Sequence, residues 1–377
     1  MKSMKNKALN FKNTILFKSN QLFFLSTFAI AIMFSSCKKD DPEPEPVVGT
    51  TSGTSFDNGI FVTNEGSFGT GTGTISFYSR SSGSVSNDIF EAKNGYPLGN
   101  IVQSMEIYNG KAYVIVNNSG KVEVADGTSF ASAGAITGFT YPRYFLGISN
   151  TKGYVSEWGV GGVLGAIKII NLTTNTVTGT IPTGKGAEAM LLAGTKVYVT
   201  CSGGFDNDST VNVINTLTNT AETTINVGAN PKSIKMDVDG KLWVLCSGQW
   251  DPTYTFLMKP GKLVRIDTAT NTVDLSLPFA STTSQPSNLV INNSLTSLYY
   301  SYDGAVYTHG YNASGLSSSA IINRSFYGFG IDPVNDYFYG SDAVDFSSNG
   351  KVIRYNASAT VVDSFAVGVI PGNFFFK

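Results

Sequence analysis

The stretch KVYVTCSGGFDNDSTVNVINTLTNTAETTINVGANPKSIKMDVDG, Lys196 to Gly240, decides the fold. It holds four short runs in which apolar and polar residues alternate, with Gly, Asn, Asp, Ser and Thr between the runs. The alternation is typical of half-buried β-strands, and the residues between the runs favour tight turns. Four strands in about 45 residues is the size of one propeller blade.

The same pattern recurs on both sides of this stretch. The next copy begins KLWVLCSG at Lys241 and continues GKLVRIDTATNTVDLSLPF, and the preceding copy contains KIINLTTNTVTGTIPTG. One landmark counts the copies, an aromatic residue among apolar neighbours at the centre of each second strand. It occurs at Phe61, Tyr113, Tyr154, Tyr198, Trp243, Tyr299 and Phe338. We therefore predict an all-β fold, a seven-bladed β-propeller of four-stranded blades over residues 58–377.

The two ends of the repeat predict how the ring closes. The first blade begins at Gly59 with a second strand and has no first strand of its own. The segment DSFAVGVIPGNFFFK matches ETTINVGANPKSIKM, so Asn373–Phe376 is predicted to be the missing first strand. Such closure removes the exposed edges of an open array. The turns agree: VDGK, NGK and AGTK suit hairpins, NTLTNT, DTATNT and NLTTNT suit Asx-type turns, and no helix is indicated.

The N-terminal segment predicts processing instead of a fold. Five lysines accompany the apolar run Leu22–Phe34, whose 13 residues are too few for a good membrane span and suit the core of a signal peptide. Cys37 follows two serines, and the segment resembles a bacterial lipoprotein signal with Phe34 in place of the usual Leu. We predict a signal peptide over 1–36 and lipidation at Cys37. The alternative is a plain secretory signal with an incidental cysteine.

Residues 37–57 are predicted to be a flexible tether, because their Pro, acidic, Gly and Ser content cannot form a core. Lys38–Asp41 resembles the signal that carries lipoproteins to the outer face of some Gram-negative bacteria. We therefore expect a lipid-anchored protein of the outer membrane, exposed at the cell surface. The 26 basic residues less the five leader lysines leave 21 against 27 acidic ones, a net charge of −6. This balance argues against a nucleic-acid partner.

Several motifs carry a family resemblance. FVTN at Phe61–Asn64, YVTC at Tyr198–Cys201 and TINVGANP at Thr224–Pro231 resemble the repeat of YVTN, or YncE-like, β-propellers. The turn Asn64–Gly69 is similar to one in the first blade of Gram-negative surface lipoproteins that carry a domain of unknown function. Some of these capture cobalamin at the propeller face for a partner outer-membrane transporter. The resemblance thus implies cobalamin binding and a TonB-dependent transporter as partner.

The predicted binding site lies on the face that holds the second-to-third and fourth-to-first connections, here named the top face. Its loops carry aromatic, amide and charged residues, whereas the turns of the opposite, bottom face are short. Aromatic faces bury flat ligands, and amides and carboxylates orient them. The alternative is that these aromatics only pack over the blade tops. The candidate ligand-binding residues are Glu65, Phe68, Arg143, Trp158, Phe205, Asp206, Lys232, Trp250, Asp251, Tyr254 and Tyr327.

The remaining candidates for chemistry are weaker. Asp206–Ser209 offers oxygen ligands for Ca²⁺ but lacks the Gly and the distal Glu of an EF-hand, so a solvated turn is favoured and no metal or cofactor is predicted. Cys201 and Cys246 occupy equivalent positions in neighbouring blades and are predicted to be free, buried thiols.

Catalysis finds little support in the sequence. A triad could use only His309, in the third strand of the sixth blade, and no nucleophile elbow precedes a helix. We therefore predict a binding protein and no enzyme. Two alternatives stay open: a surface-layer-like module that contacts protein or glycan, and a hydrolase or lyase that uses carboxylates of the top face.

Overall fold

The structure, a computed structural model, describes residues 55–69 and 71–377. The predicted signal peptide, Cys37 and most of the tether lie outside these residues. Strands hold 53% of the residues and helices 3%, which confirms the all-β prediction. No helix in the described ranges is long and apolar enough to cross a membrane.

Seven antiparallel four-stranded sheets form the seven predicted blades. Blade 1 begins with β1 (Gly59–Asn64), β2 (Thr74–Ser79) and β3 (Val85–Ser86) and is followed by the helix α1 (Ile89–Asn94). Blade 2 has the strands β4 (Val102–Tyr108), β5 (Lys111–Val116), β6 (Lys121–Asp126) and β7 (Ser132–Thr137). Blade 3 has the strands β8 (Pro142–Ser149), β9 (Lys152–Glu157), β10 (Ala166–Asn171) and β11 (Thr176–Pro182), with a 3₁₀ turn at Val160–Gly162. Blade 4 has the strands β12 (Ala187–Ala193), β13 (Lys196–Cys201), β14 (Thr210–Asn215) and β15 (Thr220–Asn226).

The last three blades follow the same order. Blade 5 has β16 (Pro231–Met236), β17 (Leu242–Cys246), a small added hairpin of β18 (Gln249–Trp250) and β19 (Leu257–Lys259), then β20 (Lys262–Asp267) and β21 (Thr272–Pro278). Blade 6 has the strands β22 (Ser287–Ile291), β23 (Ser297–Tyr302), β24 (Ala305–Gly310) and β25 (Ala320–Ile322). Blade 7 has the strands β26 (Phe329–Ile331), β27 (Phe338–Asp342), β28 (Asn349–Tyr355) and β29 (Val361–Val369). The final strand, β30 (Pro371–Phe376), lies in blade 1.

The ring closes as predicted. β30 pairs antiparallel with β1 and supplies the missing first strand of blade 1, beginning two residues before the predicted Asn373. A buried ion pair reinforces the seam between blades 1 and 7. Arg80 donates from Nε and Nη2 to the two carboxylate oxygens of Asp332 at 2.7 and 2.9 Å. The same guanidinium also donates to the carbonyl oxygen of Lys377, next to β30.

The hydrophobic core is divided into seven clusters, one at each junction between neighbouring blades. The landmark aromatics explain this arrangement. Six of them project from the second strand toward the next blade, where a large ring fills the wedge between two twisted sheets. These six residues are Phe61, Tyr113, Tyr154, Tyr198, Trp243 and Tyr299.

The landmark of blade 7 is one residue away from the predicted one. Phe338 lies in the second strand as expected but packs back against blade 6, with its ring centroid 4.9 Å from that of Tyr299. Tyr339 projects forward to blade 1 and contacts Tyr78 and Phe376. Successive strand residues face opposite sides, so a shift of one position changes the junction that a ring fills. The count of seven blades is unaffected.

The repeated TNT motif ties adjacent blades together. Its asparagines Asn175, Asn219 and Asn271 adopt left-handed backbone with φ of 53–55°, which Asn tolerates better than most residues. The hydroxyl of Tyr154 donates to Asn219 Oδ1 at 2.6 Å, and that of Tyr198 donates to Asn271 Oδ1 at the same distance. Each bond joins a second strand to the bottom turn of the following blade.

The expectation of no helix was wrong at one place. The six-residue α1 follows the two-residue strand β3 and buries Ile89 and Phe90 in the cluster between blades 1 and 2. Asn94 then donates to the carbonyl of Phe130 in blade 2 at 2.9 Å. The helix therefore packs apolar residues beside an outer strand that is too short to cover the cluster.

Candidate ligand-binding site on the top face

The two sets of top-face loops are joined by a repeated backbone hydrogen bond. In each case, the first residue after a second strand donates its N–H to the backbone carbonyl oxygen of the residue just before a first strand. The bonds are Trp158 to Tyr141 at 3.1 Å, Ser202 to Gly186 at 2.9 Å, Ser247 to Asn230 at 3.0 Å and Glu65 to Ile370 at 2.8 Å. These hydrogen bonds hold both loop sets together on one face, as predicted, and fix the backbone from which their side chains project.

A cavity of about 200 Å³ opens on the top face at the end of the central channel; we name it the mouth. Its walls come mainly from the first residues of the first strands. The lining side chains include Glu65, Arg143, Tyr144, Glu188, Lys232, Asn288, Tyr327 and Asn373. The structure thus brings together four of the predicted residues, Glu65, Arg143, Lys232 and Tyr327, from blades that are far apart in sequence.

One wall of the mouth is a buried ion pair. Arg143 donates from Nε and Nη2 to Glu188 Oε1 at 3.0 and 2.7 Å and also donates to the side chain of Gln103. Trp158 donates from Nε1 to Glu188 Oε2 at 2.7 Å, and its ring lies 4.3 Å from the guanidinium carbon of Arg143. Three groups therefore hold one another in place, and Trp158 supports the wall instead of forming an open surface.

The opposite wall carries an acid whose hydrogen-bond partner is neutral. The Tyr327 hydroxyl lies 3.1 Å from both carboxylate oxygens of Glu65, although 262 positions separate the two residues. Burial raises the pKa of Glu65, and the Tyr327 bond and the charge of Arg143 only partly offset this. Burial and the adjacent Glu65 carboxylate also raise the pKa of Tyr327, which keeps its hydroxyl protonated as a donor.

Aromatic rings stand exposed on the loops of the top face. Phe68 and Tyr254 are each 78% exposed, and Phe205 is 66% exposed. Tyr327 is itself partly exposed, and its ring lies edge-on to Phe346, a further exposed ring, at 5.6 Å. We name Phe68, Phe205, Tyr254, Tyr327 and Phe346 the rim aromatics. Large apolar groups left in water at this density are typical of an interaction surface.

The other predicted residues are engaged in local contacts. The Asp251 carboxylate accepts bonds from the N–H groups of Thr253, Thr255 and Phe256 within its own loop. Hydrogen bonding from Thr253 and these N–H groups lowers the pKa of Asp251 well below its usual range. Asp206 forms an exposed ion pair with Lys185. Trp250 is half-buried in the added hairpin of blade 5, where a loop was predicted.

Sequence reasoning missed the polar residues supplied by the first strands. Tyr144, Glu188, Asn288 and Asn373 line the mouth, whereas the prediction drew on loops. A signal existed in two of these strands. Glu188 stands in the otherwise apolar AEAMLLA, and Asn373 precedes three phenylalanines. A polar side chain in such a run has to meet either a partner or open space.

The remaining candidates stay apart from the mouth. Cys201 and Cys246 are free and buried as predicted, and burial raises the pKa of each thiol to about 12. Within 55–69 and 71–377 there is no group of three or more His, Cys, Asp or Glu placed to hold a metal ion. His309 is buried against Trp243, with the ring centroids 4.9 Å apart.

Known structures share this fold. A quinonprotein alcohol dehydrogenase-like protein from Bacteroides thetaiotaomicron is 15% identical with a TM-score of 0.63, over 85% of this chain and 79% of that chain. A functionally unknown protein from Desulfotomaculum acetoxidans is 13% identical with a TM-score of 0.63, over 85% and 99%. The extracellular domain of a proposed one-component system from B. thetaiotaomicron is 13% identical with a TM-score of 0.57, over 80% and 41%.

These likenesses bear on the fold alone, since all three identities are low. A comparison with curated proteins finds no match. The family described as domain of unknown function DUF5074 matches residues 58–367, which is most of the chain and nearly all of the propeller. The chain belongs to the DUF5074 family.

Proposed function

We propose that this protein is a binding protein of the cell surface, held on the outer membrane by a lipid at Cys37, that captures a ligand on its top face. The ligand that we propose first is cobalamin, delivered to a partner TonB-dependent transporter. The YncE-like resemblance and the Asn64–Gly69 turn support this choice, and one solved neighbour is an extracellular domain.

One observation carries the binding proposal: the exposed rim aromatics and the polar mouth lie on the same face of the propeller. The cavity of about 200 Å³ is smaller than pockets that enclose a drug-sized ligand, about 300–1,000 Å³. A larger ligand would therefore place one polar substituent in the mouth and rest its flat body on the rim. Cobalamin has this form, because amide side chains surround its corrin ring. Asn288, Asn373 and Tyr327 would face the amides.

Binding is proposed in preference to catalysis because of how the acids are held. Glu188 accepts bonds from Arg143, Trp158 and Ser202, so its oxygens are occupied. Both carboxylate oxygens of Glu65 accept from the Tyr327 hydroxyl. Such fixed groups suit recognition, in which preorganised contacts reduce the entropy lost on binding.

Calorimetry with purified protein and cyanocobalamin tests the proposal. We expect binding at micromolar concentration or tighter, and at least about tenfold weaker binding for Phe68→Ala and Tyr254→Ala, because buried aromatic anchors dominate interface energies. Leu217→Ala is the matched control, since Leu217 is 75% exposed but lies in a bottom turn. It should bind cobalamin like the parent protein.

Two results would count against the proposal. The absence of heat at micromolar cobalamin would remove the ligand. If cobalamin binding were unchanged in the rim variants while a protein partner was lost from pull-downs, the rim would instead serve the surface-layer-like or interaction role.

A further inference from the structure

A second feature lies below the mouth, in the central channel. The channel has a cavity volume of about 510 Å³ and is lined by first strands of several blades. Strand register defines equivalent positions in it, because each first strand places one residue opposite the forward-facing aromatic of its second strand. These residues are Glu106, Leu146, Leu191, Lys235, Val290, Gly330 and Phe375, and all of them except Leu191 line the cavity. We name this set the channel layer.

The repeat does not require charge in the channel layer. Five blades place an apolar residue or glycine there, whereas blade 2 places Glu106 and blade 5 places Lys235. Both of these side chains line the cavity. In a seven-blade ring, blades 2 and 5 stand on opposite sides of the axis, so the two charges belong to opposite walls of the cavity that both side chains line. A buried charge without a partner is costly, and a hydrophobic residue at either position would avoid that cost.

Among the described residues, neither charge has a direct ion-pair partner. Within the described part of the chain, Glu106 and Lys235 influence each other through space and form no direct ion pair. Burial raises the pKa of Glu106 to about 7, and burial lowers the pKa of Lys235. The charged residues nearest the entrance are Lys232, Glu65 and Arg143, and the last of these is already paired with Glu188.

We propose that the channel layer binds a small zwitterion, with the chemistry of a free amino acid, whose carboxylate faces Lys235 and whose ammonium group faces Glu106. Such a ligand is complementary to both charges at once and is neutral overall. An anion alone would leave Glu106 without a partner, and a cation alone would leave Lys235 without one. This site is distinct from the rim and does not depend on cobalamin binding there.

The channel has room and an entrance for such a ligand. Its volume of about 510 Å³ lies within the range of small-molecule sites, about 300–1,000 Å³. Tyr144, Lys232, Ser233, Asn288 and Asn373 line both the channel and the mouth, so the two spaces are continuous. A ligand can therefore enter from the top face and move along polar side chains to the channel layer.

The test uses a series of ω-amino acids from glycine to 6-aminohexanoate, titrated calorimetrically into the purified protein at constant ionic strength. We expect one member of the series, set by the gap between the two side chains, to bind best. Acetate and ethylammonium, which each carry one of the two charges, should bind at least about tenfold more weakly. Equal binding of acetate would overturn the proposal.

Variants locate the site. Glu106→Gln and Lys235→Met should each weaken binding of the best ligand by about tenfold or more. The exchanged pair Glu106→Lys with Lys235→Glu should restore binding, because the ligand can reverse its direction. Lys111→Met changes a lysine that lines neither the channel nor the mouth, so it is the control and should bind normally.

Three outcomes would contradict the assignment. Binding that is lost in Lys232→Met but kept in Lys235→Met would place the site at the mouth. Loss of binding in a correctly folded exchanged pair, checked by circular dichroism, would show that charge complementarity is not the cause. If the exchanged pair does not fold, unchanged binding by both single variants would overturn the proposal by itself.

Discussion

The turns of the bottom face and the loops of the top face use the same left-handed backbone with different side chains. In the bottom turns, Asn175, Asn219 and Asn271 adopt φ near +54°. In the top loops, Tyr254, Val344 and Phe346 adopt φ of +55 to +60°. Asn tolerates this conformation through its short polar side chain, whereas bulky and β-branched residues are strained in it.

This difference in side chains distinguishes residues that stabilise the fold, in the bottom turns, from exposed residues of the top loops that add little to its stability. A bottom asparagine serves its own turn, and Asn219 and Asn271 also accept a tyrosine bond from the preceding blade. The three top-loop residues are exposed and gain little burial for their backbone strain. Strain of this kind is frequent at functional sites. The division by side-chain type has exceptions. Leu295 and Phe130 adopt left-handed backbone in bottom turns, and Asn230 adopts it in a top-face loop.

The largest effect on stability is expected from removing the ion pair at the bottom of the seam between blades 1 and 7. Asp332→Ala should lower the free energy of unfolding by about 3–5 kcal/mol, because it leaves the buried Arg80 guanidinium without its partner. Urea unfolding followed by circular dichroism measures this change.

The control for this variant is Asp363→Ala. Asp363 also pairs with an arginine, Arg354, but its side chain is 46% exposed. Water reaches the carboxylate of this pair and screens its charge, so the pair should contribute about 1 kcal/mol and the control should unfold close to the parent protein. Similar losses in both variants would show that burial does not set the strength of the seam.

The next effect concerns the bond between blades 4 and 5. Tyr198→Phe removes the hydroxyl that donates to Asn271 Oδ1 and should cost about 1–2 kcal/mol in unfolding free energy. Tyr113→Phe is the matched control within the repeat. In the described chain, Oδ1 of the equivalent Asn175 has no hydrogen-bond partner, so this change should stay within about 0.5 kcal/mol. Equal costs would refute the role of the interblade bond.

The bottom-face pattern is also the part that sequence predicts well. The TNT turns, the landmark aromatics and the return of β30 follow from local periodicity, because each blade repeats the same packing problem. The one misplaced landmark, Phe338 for Tyr339, occurs where three aromatic residues are consecutive in YFY. There, composition does not reveal which ring faces forward, and the strand register decides.

The candidate site was predictable only in outline. The top face follows from topology, and four of the predicted residues meet at the mouth. Their partners do not follow from sequence, because the Arg143–Glu188 pair and the Glu65–Tyr327 pair form only when the ring brings distant blades together. Asp251 shows the opposite case, since its carboxylate is used by its own loop, a geometry that side-chain type does not reveal.

A smaller effect is expected from Glu65 on the top face, and it depends on pH. The folded-state pKa of Glu65 is raised by burial, so the folded protein holds this proton more tightly than the unfolded chain. Its contribution to stability is present below the unfolded pKa and is lost as pH rises through the folded pKa.

Glu65→Gln should remove the loss of stability with rising pH, because glutamine does not ionise, while keeping an acceptor for the Tyr327 hydroxyl. Relative to the parent protein, the variant should be more stable at pH 7 and no more stable at pH 4. Urea unfolding at both pH values checks the difference. A variant that is less stable than the parent at pH 7 would mean that the Tyr327 bond to the carboxylate outweighs the cost of burying it.

The smallest effect on stability is expected at Tyr254, a top-loop residue that has the same left-handed backbone as Asn271 of the bottom face. Tyr254→Gly relieves left-handed strain of about 1 kcal/mol at a residue that is 78% exposed, and glycine adds a similar entropy to the unfolded chain. The free energy of unfolding should therefore stay within about 1 kcal/mol of the parent value, while cobalamin binding falls.

Asn271→Gly, its bottom-face counterpart, should destabilise the protein through the lost Tyr198 bond and leave binding intact. Because the two changes act on the same backbone conformation, opposite results in unfolding and calorimetry would assign Asn271 to the fold and Tyr254 to the ligand. A large loss of stability in Tyr254→Gly would instead show that the ring packs its own loop.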